Sequence, residues 1–171
     1  MKLVLVGTGY VGLVSGSCFA EFGYEVTCVD KDKSRILELK KGKCPFFEPG
    51  IEELLSKHRD QTKLLSFTSS LTEAMEGADI IFITVGTPSK RLEGEADLSA
   101  VWNVAKDIAN NIKKYTLVVT KSTVPVGTTQ EIKKIISKIV PKENFDVVSN
   151  PEFLREGSAI NDFMRPDRII I

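Results

Sequence analysis

The stretch Lys2-Leu3-Val4-Leu5-Val6-Gly7-Thr8-Gly9-Tyr10-Val11-Gly12 decides the fold, because a short apolar run leads directly into a G-x-G-x-x-G pattern. This pattern is typical of a β-strand that is followed directly by a tight turn and a helix. Gly7 allows the tight turn, Gly9 lets the backbone approach a pyrophosphate, and Gly12 lets the helix pack on the strand. The pattern alone is a weak signal, since incidental glycine-rich turns also contain it, and its surroundings have to decide.

The surroundings add a second strand and an acid. Residues Tyr24–Asp30 form another largely apolar run that ends in Asp30, eighteen residues after Gly12. At about that separation a carboxylate reaches a ribose hydroxyl of a bound dinucleotide. Strand, helix, strand and acid in this order favour nucleotide binding over an incidental turn.

Length and charge exclude several classes of protein. A chain of 171 residues is the size of one domain and is long enough to bury a good core. Its 23 basic residues balance its 23 acidic ones, so no dominant electrostatic field favours nucleic acid as a partner. The lysine clusters at 40–43, 113–114 and 133–134 fall within or at the ends of predicted helices, where we interpret them as solvated faces.

The apolar runs and the cysteines indicate a cytoplasmic protein. No run approaches membrane-spanning length, and the N-terminal one lacks a cleavage-site pattern, so we expect no membrane partner. Cys18, Cys28 and Cys44 are odd in number and have no metal-ligand spacing, which predicts neither a disulfide framework nor a metal site. We expect Cys18 and Cys28 in the core. Cys44, in a loop before Pro45, is the one that could react, although packing is favoured because no histidine is near it in sequence.

Alternating strand and helix patterns predict an α/β domain with a doubly wound, Rossmann-type, mostly parallel sheet and helices on both faces. The predicted strands are residues 2–6, 25–30, 65–68, 79–85, 116–121, 145–149 and 168–171. The predicted helices are residues 11–22, one capped by Asp32, a short one with a Ser70/Glu73 capping box, residues 98–114, and one beginning near Pro125. The last helix should place Ile132, Ile135, Ile136 and Ile139 against the sheet. The single histidine, His58, is expected to be exposed on a helix over 52–58.

Two segments stand apart from the regular pattern. The loop Gly86–Asp97 follows a strand's C-terminal end, where ligands of open α/β sheets bind, and is therefore a functional candidate. Arg168–Ile171 resembles the opening of a strand, and a natural domain seldom ends on an exposed apolar strand. We therefore expect residues 1–171 to be one dinucleotide-binding domain from the N-terminal part of a longer protein. The alternative is a naturally short protein whose last strand pairs fully.

Three more segments sit at predicted strand ends: Val85-Gly86-Thr87-Pro88, Lys121-Ser122-Thr123-Val124-Pro125-Val126-Gly127-Thr128 and Asn150-Pro151-Glu152-Phe153-Leu154-Arg155-Glu156-Gly157. Together with G-T-G-Y-V-G and the Phe47-Glu48-Pro49-Gly50 turn, they resemble the nucleotide-sugar 6-dehydrogenase family over essentially the whole chain. The glycine pattern is shared by many oxidoreductases, whereas K-S-T-V-P-V-G-T and N-P-E-F-L-R-E-G are specific to this family.

The resemblance implies an NAD-dependent oxidation of a sugar C6 alcohol to a carboxylate through two hydride transfers. In that family a cysteine captures the aldehyde-level intermediate, and the thioester is then hydrolysed. The expected substrate is UDP-glucose and the product UDP-glucuronate, with a homodimer or larger oligomer as the parent enzyme. Siblings that oxidise GDP-mannose or an N-acetylated UDP-hexosamine remain alternatives, as does a non-catalytic NAD-sensing module.

Carried over residue by residue, the resemblance implies three groups of site residues. Cofactor contacts would come from Gly7, Gly9, Tyr10, Val11 and Gly12 at the pyrophosphate, Asp30 and Arg35 at the adenosine ribose, and Thr87, Ser122, Thr123 and Glu156 toward the nicotinamide. Glu152, Phe153 and Leu154 would contact the sugar nucleotide. Thr123 and Glu152 would be catalytic, because a hydroxyl can order a water molecule and a carboxylate can take or return a proton.

Each assignment has a simpler alternative. Thr123 could cap the next helix, Glu152 could be a solvent-facing turn residue, and Arg35 could be a surface helix charge. The family's nucleophilic cysteine and a catalytic lysine lie in a later region, and none of the three cysteines here matches that motif. We therefore expect this chain alone to bind NAD without turning over a sugar substrate.

Overall fold

Six short apolar runs form the strands of one parallel sheet in the computed structural model, which describes residues 1–88 and 96–171. The strands are β1 (Lys2–Val6), β2 (Glu25–Val29), β3 (Leu65–Thr68), β4 (Ile80–Ile83), β5 (Thr116–Thr120) and β6 (Phe145–Ser149). Their order across the sheet is β3-β2-β1-β4-β5-β6, and every pairing is parallel. The predicted doubly wound sheet is confirmed, with its change of winding direction between β1 and β4.

Helices connect the strands. They are α1 (Tyr10–Glu21), α2 (Lys33–Lys40), α3 (Ile51–Ser56), α4 (Leu71–Met75), α5 (Ser99–Asn111), α6 (Thr128–Ser137) and α7 (Ala159–Met164). A π-helical turn, Lys57–Gln61, continues α3, and a 3₁₀ turn, Lys142–Asn144, precedes β6. Among residues 1–88 and 96–171, no helix combines the length and apolar content needed to cross a membrane. Most of the candidate loop Gly86–Asp97, namely residues 89–95, lies outside the described residues.

The strands alternate their side chains between two buried layers. Leu3 and Leu5 of β1 face the layer formed with α1, α2, α3 and α7, whereas Val4 and Val6 face the layer formed with α4, α5 and α6. Because a parallel strand with helices on both faces has no solvated side, its sequence is apolar at nearly every position. This is why apolar runs predicted the central strands, whereas the edge strands β3 and β6 contain the exposed residues Ser66 and Asp146.

The predicted helix starts are only partly confirmed. Asp32 caps α2, since its carboxylate accepts hydrogen bonds from the amides of Ser34 at 3.0 Å and Arg35 at 3.1 Å. The Ser70 hydroxyl accepts from the Glu73 amide at 3.3 Å, which is one half of the capping box. The Glu73 carboxylate instead accepts from the Thr68 hydroxyl at 3.1 Å, so the reciprocal half is absent.

Two expectations at segment ends are wrong. Residues 168–171 form no strand, and Ile169 and Ile171 are exposed. The Asn150 side-chain amide donates to the Ile170 carbonyl at 2.8 Å, which is a side-chain contact and not the backbone ladder that a strand needs. Ile139 is 55% exposed because α6 ends at Ser137, so the helical period that places Ile132 and Ile136 in the core no longer applies.

The expectation that His58 is exposed is also wrong. His58 is 2% exposed, and its ring nitrogens lie 2.6 Å from a Glu21 carboxylate oxygen and 3.0 Å from the Thr62 hydroxyl. His58 follows the buried residues Ile51 and Leu55 at the i, i+4, i+7 spacing of one helix face. The expectation of exposure considered only the polarity of a histidine, and the hydrogen bonds to Glu21 and Thr62 are what make its burial possible.

Replacing His58 with Ala is expected to lower the free energy of unfolding by about 1–3 kcal/mol, because Glu21 and Thr62 each lose a partner in a partly buried position. Urea denaturation of both proteins measures the loss. Lys57→Ala is the matched control: its ammonium binds the same Glu21 carboxylate at 2.8 Å from an exposed position, and it should cost less than about 1 kcal/mol. Equal losses in the two variants would contradict a structural role for the buried imidazole.

Candidate functional site

The turn between β1 and α1 is close-packed at two glycines and open at the third. Gly7 has φ +112°, and a Cβ there would lie 2.7 Å from the Thr84 carbonyl oxygen. A Cβ at Gly12 would lie 1.9 Å from the Gly7 carbonyl oxygen, which no real side chain tolerates. A Cβ added at Gly9, the N-cap residue of α1, would have no neighbouring atom within 4 Å. The turn therefore leaves free space where a pyrophosphate would approach the helix N-terminus.

The turn is tied to the strands on both sides of β1. The Gly7 amide donates to the Val29 carbonyl at 2.8 Å, and the Thr84 hydroxyl donates to the Gly7 carbonyl at 2.9 Å. Tyr10 and Val11 follow as the first turn of α1, where backbone amides have no partner within the helix and the helix dipole favours an anion. These bonds hold the amides of the turn in place before any ligand arrives.

Asp30 lies at the end of β2 and is held in its ionised form. Its carboxylate accepts from the Thr8 amide at 2.9 Å, the Thr8 hydroxyl at 2.7 Å and the Asp32 amide at 3.0 Å. The Arg35 guanidinium lies 3.4 Å away, so Arg35 is more than a surface charge. Burial alone would raise the pKa of Asp30, but these hydrogen bonds and Arg35 outweigh it and lower the pKa below its usual value. A charged carboxylate here suits the paired hydroxyls of a ribose.

Hydrogen bonds also join the ends of β4 and β5. The Thr87 hydroxyl donates to the Thr123 carbonyl at 3.0 Å, and the Ser122 hydroxyl donates to the Val85 carbonyl at 2.7 Å. Ser122 is thus buried and engaged with the protein, whereas Thr123 is exposed. Because α6 begins after Gly127 with no side-chain cap, Thr123 does not cap that helix.

The segment after β6 places the remaining predicted residues beside these loops. The Glu152 carboxylate accepts from the Leu154 amide at 2.5 Å and is only partly exposed. Phe153 is half exposed, with the Arg168 guanidinium 5.4 Å from its ring centroid, and Leu154 packs against the α1-side core. Glu156 is exposed. Glu152 is therefore a turn residue with a carboxylate available at the edge of a cavity.

That cavity has a volume of about 600 Å³ and is lined by Glu152, Phe153, Leu154, Phe163, Asn150 and Lys121 among others. Lys121 is 6% exposed, with its ammonium 3.2 Å from the Asn150 side-chain oxygen and 5.4 Å from the Phe163 ring centroid. Burial lowers the pKa of Lys121, and the Glu152 carboxylate partly opposes that shift. Sequence reasoning missed Lys121, although it directly precedes Ser122 and Thr123 in the K-S-T string.

Sequence reasoning also missed Thr8 and Glu48 as site residues. Thr8 is fully buried and supplies two of the bonds to Asp30. Glu48 is 3% exposed and accepts a hydrogen bond from the Tyr10 hydroxyl at 2.5 Å. The sequence marked Glu48 only as part of the Phe47-Glu48-Pro49-Gly50 turn, which does not show that its acid is buried.

The three cysteines offer no activated thiol. Cys18 and Cys28 are fully buried, as predicted, and burial raises the pKa of each thiol to about 12. Burial also raises the pKa of the half-buried Cys44. Within the described ranges, no three or more His, Cys, Asp or Glu side chains gather as a metal site would require.

Comparisons with known proteins agree with this geometry. Residues 1–171 match the model of the UDP-glucose/GDP-mannose dehydrogenase family, NAD binding domain. The chain is 55% identical to a UDP-glucose 6-dehydrogenase of Rhizobium meliloti, covering 100% of this chain and 39% of that protein. It resembles the structure of a UDP-glucose dehydrogenase from Pyrobaculum islandicum, with 41% identity, a TM-score of 0.92 and coverage of 98% of this chain and 39% of that one. It also resembles a ternary complex of GDP-mannose dehydrogenase from Pseudomonas aeruginosa, with 39% identity, a TM-score of 0.93 and coverage of 99% and 40%.

Alanine substitutions at Gly9 and Gly12 are expected to affect different properties, dinucleotide binding at Gly9 and the stability of the fold at Gly12. Gly12→Ala should lower the free energy of unfolding by about 1–3 kcal/mol or more, because its methyl group meets the Gly7 carbonyl. Gly9→Ala should cost less than about 1 kcal/mol, since its methyl group enters open space, yet it should abolish dinucleotide binding by filling that space. Urea denaturation and calorimetric titration measure the two effects. Unimpaired binding in Gly9→Ala would place the ligand elsewhere.

Proposed function

The chain belongs to the UDP-glucose/GDP-mannose dehydrogenase family, as its NAD-binding domain, and from that premise we propose that it serves an enzyme that oxidises the C6 alcohol of UDP-glucose to the carboxylate of UDP-glucuronate. The overall reaction consumes one water molecule and reduces two NAD. The chain spans 39% of the length of the Rhizobium meliloti relative, so the parent enzyme supplies the rest of the site.

One observation carries the proposal: two different kinds of site meet at the C-terminal edge of the sheet. The Gly7–Gly12 turn and Asp30 lie at the ends of β1 and β2 and suit a dinucleotide. The cavity with Lys121 and Glu152 lies beyond the ends of β5 and β6. Thr87 and Thr123 lie between them, joined by a hydrogen bond. Hydride transfer requires that the cofactor and the substrate be in contact. Two sites at one sheet edge would place a bound cofactor beside a bound substrate, and this supports the proposal.

The residues of the turn fit NAD. Free space at Gly9 admits a pyrophosphate, and the Asp30 carboxylate can accept hydrogen bonds from both hydroxyls of a ribose. When bound, NAD accepts the hydride that leaves the sugar carbon. In this proposal Gly7, Gly9, Tyr10, Val11 and Gly12 bind the pyrophosphate, Asp30 and Arg35 the ribose, and Thr87, Ser122, Thr123 and Glu156 the nicotinamide end.

At the substrate end, we assign proton handling to Glu152 and Thr123. Thr123 has an exposed position and Glu152 lies in the cavity wall. In this proposal one water molecule bridges the two side chains, since each can hydrogen-bond to it. Phe153 and Leu154 would contact the sugar nucleotide from the same wall. The thiolate that captures the aldehyde is a residue of the parent enzyme, because the three cysteines of this chain are buried or have a raised pKa.

Alternatives differ in what they predict for the parent enzyme. A GDP-mannose dehydrogenase is 39% identical to this chain, so a panel of nucleotide sugars must decide the substrate. A non-catalytic NAD-sensing module would have no cysteine downstream in a glycine-rich loop. We further propose a cytoplasmic homodimer or larger oligomer, as the family resemblance implies. Formation of two NADH per UDP-glucose by the full-length protein would support the leading proposal.

The chain is expected to prefer NAD to NADP, because the ionised Asp30 accepts from ribose hydroxyls and repels a 2′-phosphate. Asp30→Asn removes the negative charge, and we expect NAD affinity to fall by about ten-fold or more and the discrimination against NADP to narrow. Calorimetric titration of both proteins with both cofactors measures this. Glu25→Gln, at the opposite end of β2, is the control and should bind as the unchanged chain does. Tighter binding of NADP by the unchanged chain would refute the assignment.

In the full-length enzyme, Glu152→Gln should lower kcat by about a hundred- to ten-thousand-fold with little change in KM, because the amide retains its size but cannot transfer a proton. If thioester hydrolysis is the affected step, a covalent sugar adduct should accumulate and add mass to the intact protein.

Two further variants make that test specific. Thr123→Ala should give a smaller loss, since another water molecule can replace a hydroxyl. Glu143→Gln, in the exposed 3₁₀ turn before β6, should leave kcat unchanged. A near-normal kcat in Glu152→Gln without an adduct would return Glu152 to the role of a turn residue.

A further inference from the structure

Glu48 is a buried acid in the loop between α2 and α3, and the residues that its carboxylate binds are all far from it in sequence. Glu48 is only 3% exposed, whereas the neighbouring residue Phe47 is 86% exposed. The partners of its carboxylate come from the start of α1 and from the segment that leads into α7. One carboxylate therefore links three parts of the chain that are distant in sequence, the α2–α3 loop, the start of α1 and the segment before α7.

Both carboxylate oxygens are occupied. One accepts from the Tyr10 hydroxyl at 2.5 Å and from the Gly157 amide at 2.7 Å. The other accepts from the Ala159 amide at 2.8 Å and, more weakly, from the Ile160 amide at 3.4 Å. The Tyr10 hydroxyl also lies 3.3 Å from the Gly157 amide, so the three groups form a closed triangle.

The carboxylate is satisfied by hydrogen-bond donors. Burial alone would raise the pKa of Glu48, but the bonds from Tyr10, Gly157, Ile160 and Ala159 outweigh it and lower the pKa. Hydrogen bonds to an ionised group are shorter and stronger than neutral ones, and they impose geometry on their donors. The Tyr10 ring is fixed further by its contact with Phe46, with centroids 4.8 Å apart.

The two elements that Glu48 joins are both parts of the cofactor site in the proposed function. Tyr10 directly follows Gly9, the open position of the glycine turn. Gly157 directly follows Glu156, which is assigned to the nicotinamide end and whose charge acts on Tyr10. Gly157 has φ +82°, a left-handed conformation that glycine adopts readily, so the chain turns there with its amide directed at the Glu48 carboxylate.

We propose that Glu48 is a positioning residue, which holds the pyrophosphate turn at Tyr10 and the Glu156 segment in the one arrangement that binds the nicotinamide half of NAD. The inference rests on the proposed function, because it assumes that both segments contact the cofactor. The adenosine half is independent of Glu48, since Asp30 is held by Thr8, Asp32 and Arg35.

The test compares NAD with adenosine, which has neither the pyrophosphate nor the nicotinamide half and therefore reports on the Asp30 end alone. Glu48→Gln keeps the size of the side chain but presents an NH₂ group to backbone donors. If it populates the competent arrangement about one-tenth as often, its apparent Kd for NAD rises about ten-fold. Its Kd for adenosine should stay unchanged. Calorimetric titration of the chain with both ligands gives the two values, and thermal denaturation reports the fold.

Two more variants make the test decisive. Tyr10→Phe removes only the hydroxyl and keeps the ring on Phe46, so it should weaken NAD binding in the same selective way and by a smaller factor. It decides the question alone if Glu48→Gln does not fold. Glu53→Gln, an exposed acid in the first turn of α3, makes the same change of charge and should bind both ligands as the unchanged chain does.

The outcomes separate the inference from the proposed function. Selective loss of NAD affinity in Glu48→Gln and Tyr10→Phe supports the positioning role. Equal loss of both ligands together with a lower melting temperature shows a purely structural role and overturns it, as does unchanged NAD affinity in both variants. If the unchanged chain binds neither ligand, the cofactor site itself is wrong and the inference fails with it.

Discussion

The position of helix α1 on the sheet depends on one close backbone contact. Gly12 of α1 lies directly against the carbonyl of Gly7, which follows β1. A single added carbon at Gly12 would lie 1.9 Å from that oxygen. One turn further along the helix, a Cβ at Gly16 would lie 2.7 Å from the Cys28 sulfur of β2. Two glycines four residues apart share one helix face, so α1 lies against both strands at once. Its N-terminus is thereby fixed at the sheet edge where Asp30 ends β2.

The buried charges at this edge show how the site differs from the core. Asp30 and Glu48 each accept several hydrogen bonds from backbone amides and a hydroxyl. A buried ion loses several kcal/mol of hydration, while one hydrogen bond to a charge returns about 1.5–3 kcal/mol, so several bonds are needed. Lys121 has one side-chain oxygen and one aromatic face, and burial lowers its pKa. An incompletely compensated cation in a cavity is typical of a functional site.

The fold could be predicted from the sequence because its strongest signals are local. Short, mostly apolar runs between helical patterns predicted all six strands, and the signal is strongest in the four central strands β1, β2, β4 and β5, which are buried on both faces. The same apolar pattern wrongly predicted a strand at residues 168–171, because apolar character does not show whether a partner strand is present. The expectation that His58 is exposed was wrong because the polarity of a histidine does not show that the fold brings partners, here Glu21 and Thr62, to its buried ring.

The site was harder to predict, because its polar contacts join residues that are distant in sequence. The glycine turn and Asp30 are recognisable by spacing alone, whereas Glu48 is separated from Gly157 by 109 positions. An acid in a loop is ordinarily solvated, so nothing local distinguishes Glu48 from its exposed neighbours. Only the fold brings its donors together.

The proposed reaction needs proton-transferring groups, which this domain carries, and a reactive thiolate, which its buried cysteines do not provide. A thiol reacts as its thiolate, and burial moves the pKa of Cys18 and Cys28 to about 12, so both thiols stay protonated at neutral pH. The cavity instead holds a carboxylate and an ammonium, groups that move protons and orient a charged substrate. In the proposed function the domain would bind the hydride acceptor and handle water, and the nucleophile for covalent capture would come from another part of the enzyme. The hydrogen bonds that hold Gly7 to Val29 and Thr84 do not involve the cavity at Lys121 and Glu152, so that nucleophile could approach the cavity without rearranging the cofactor turn.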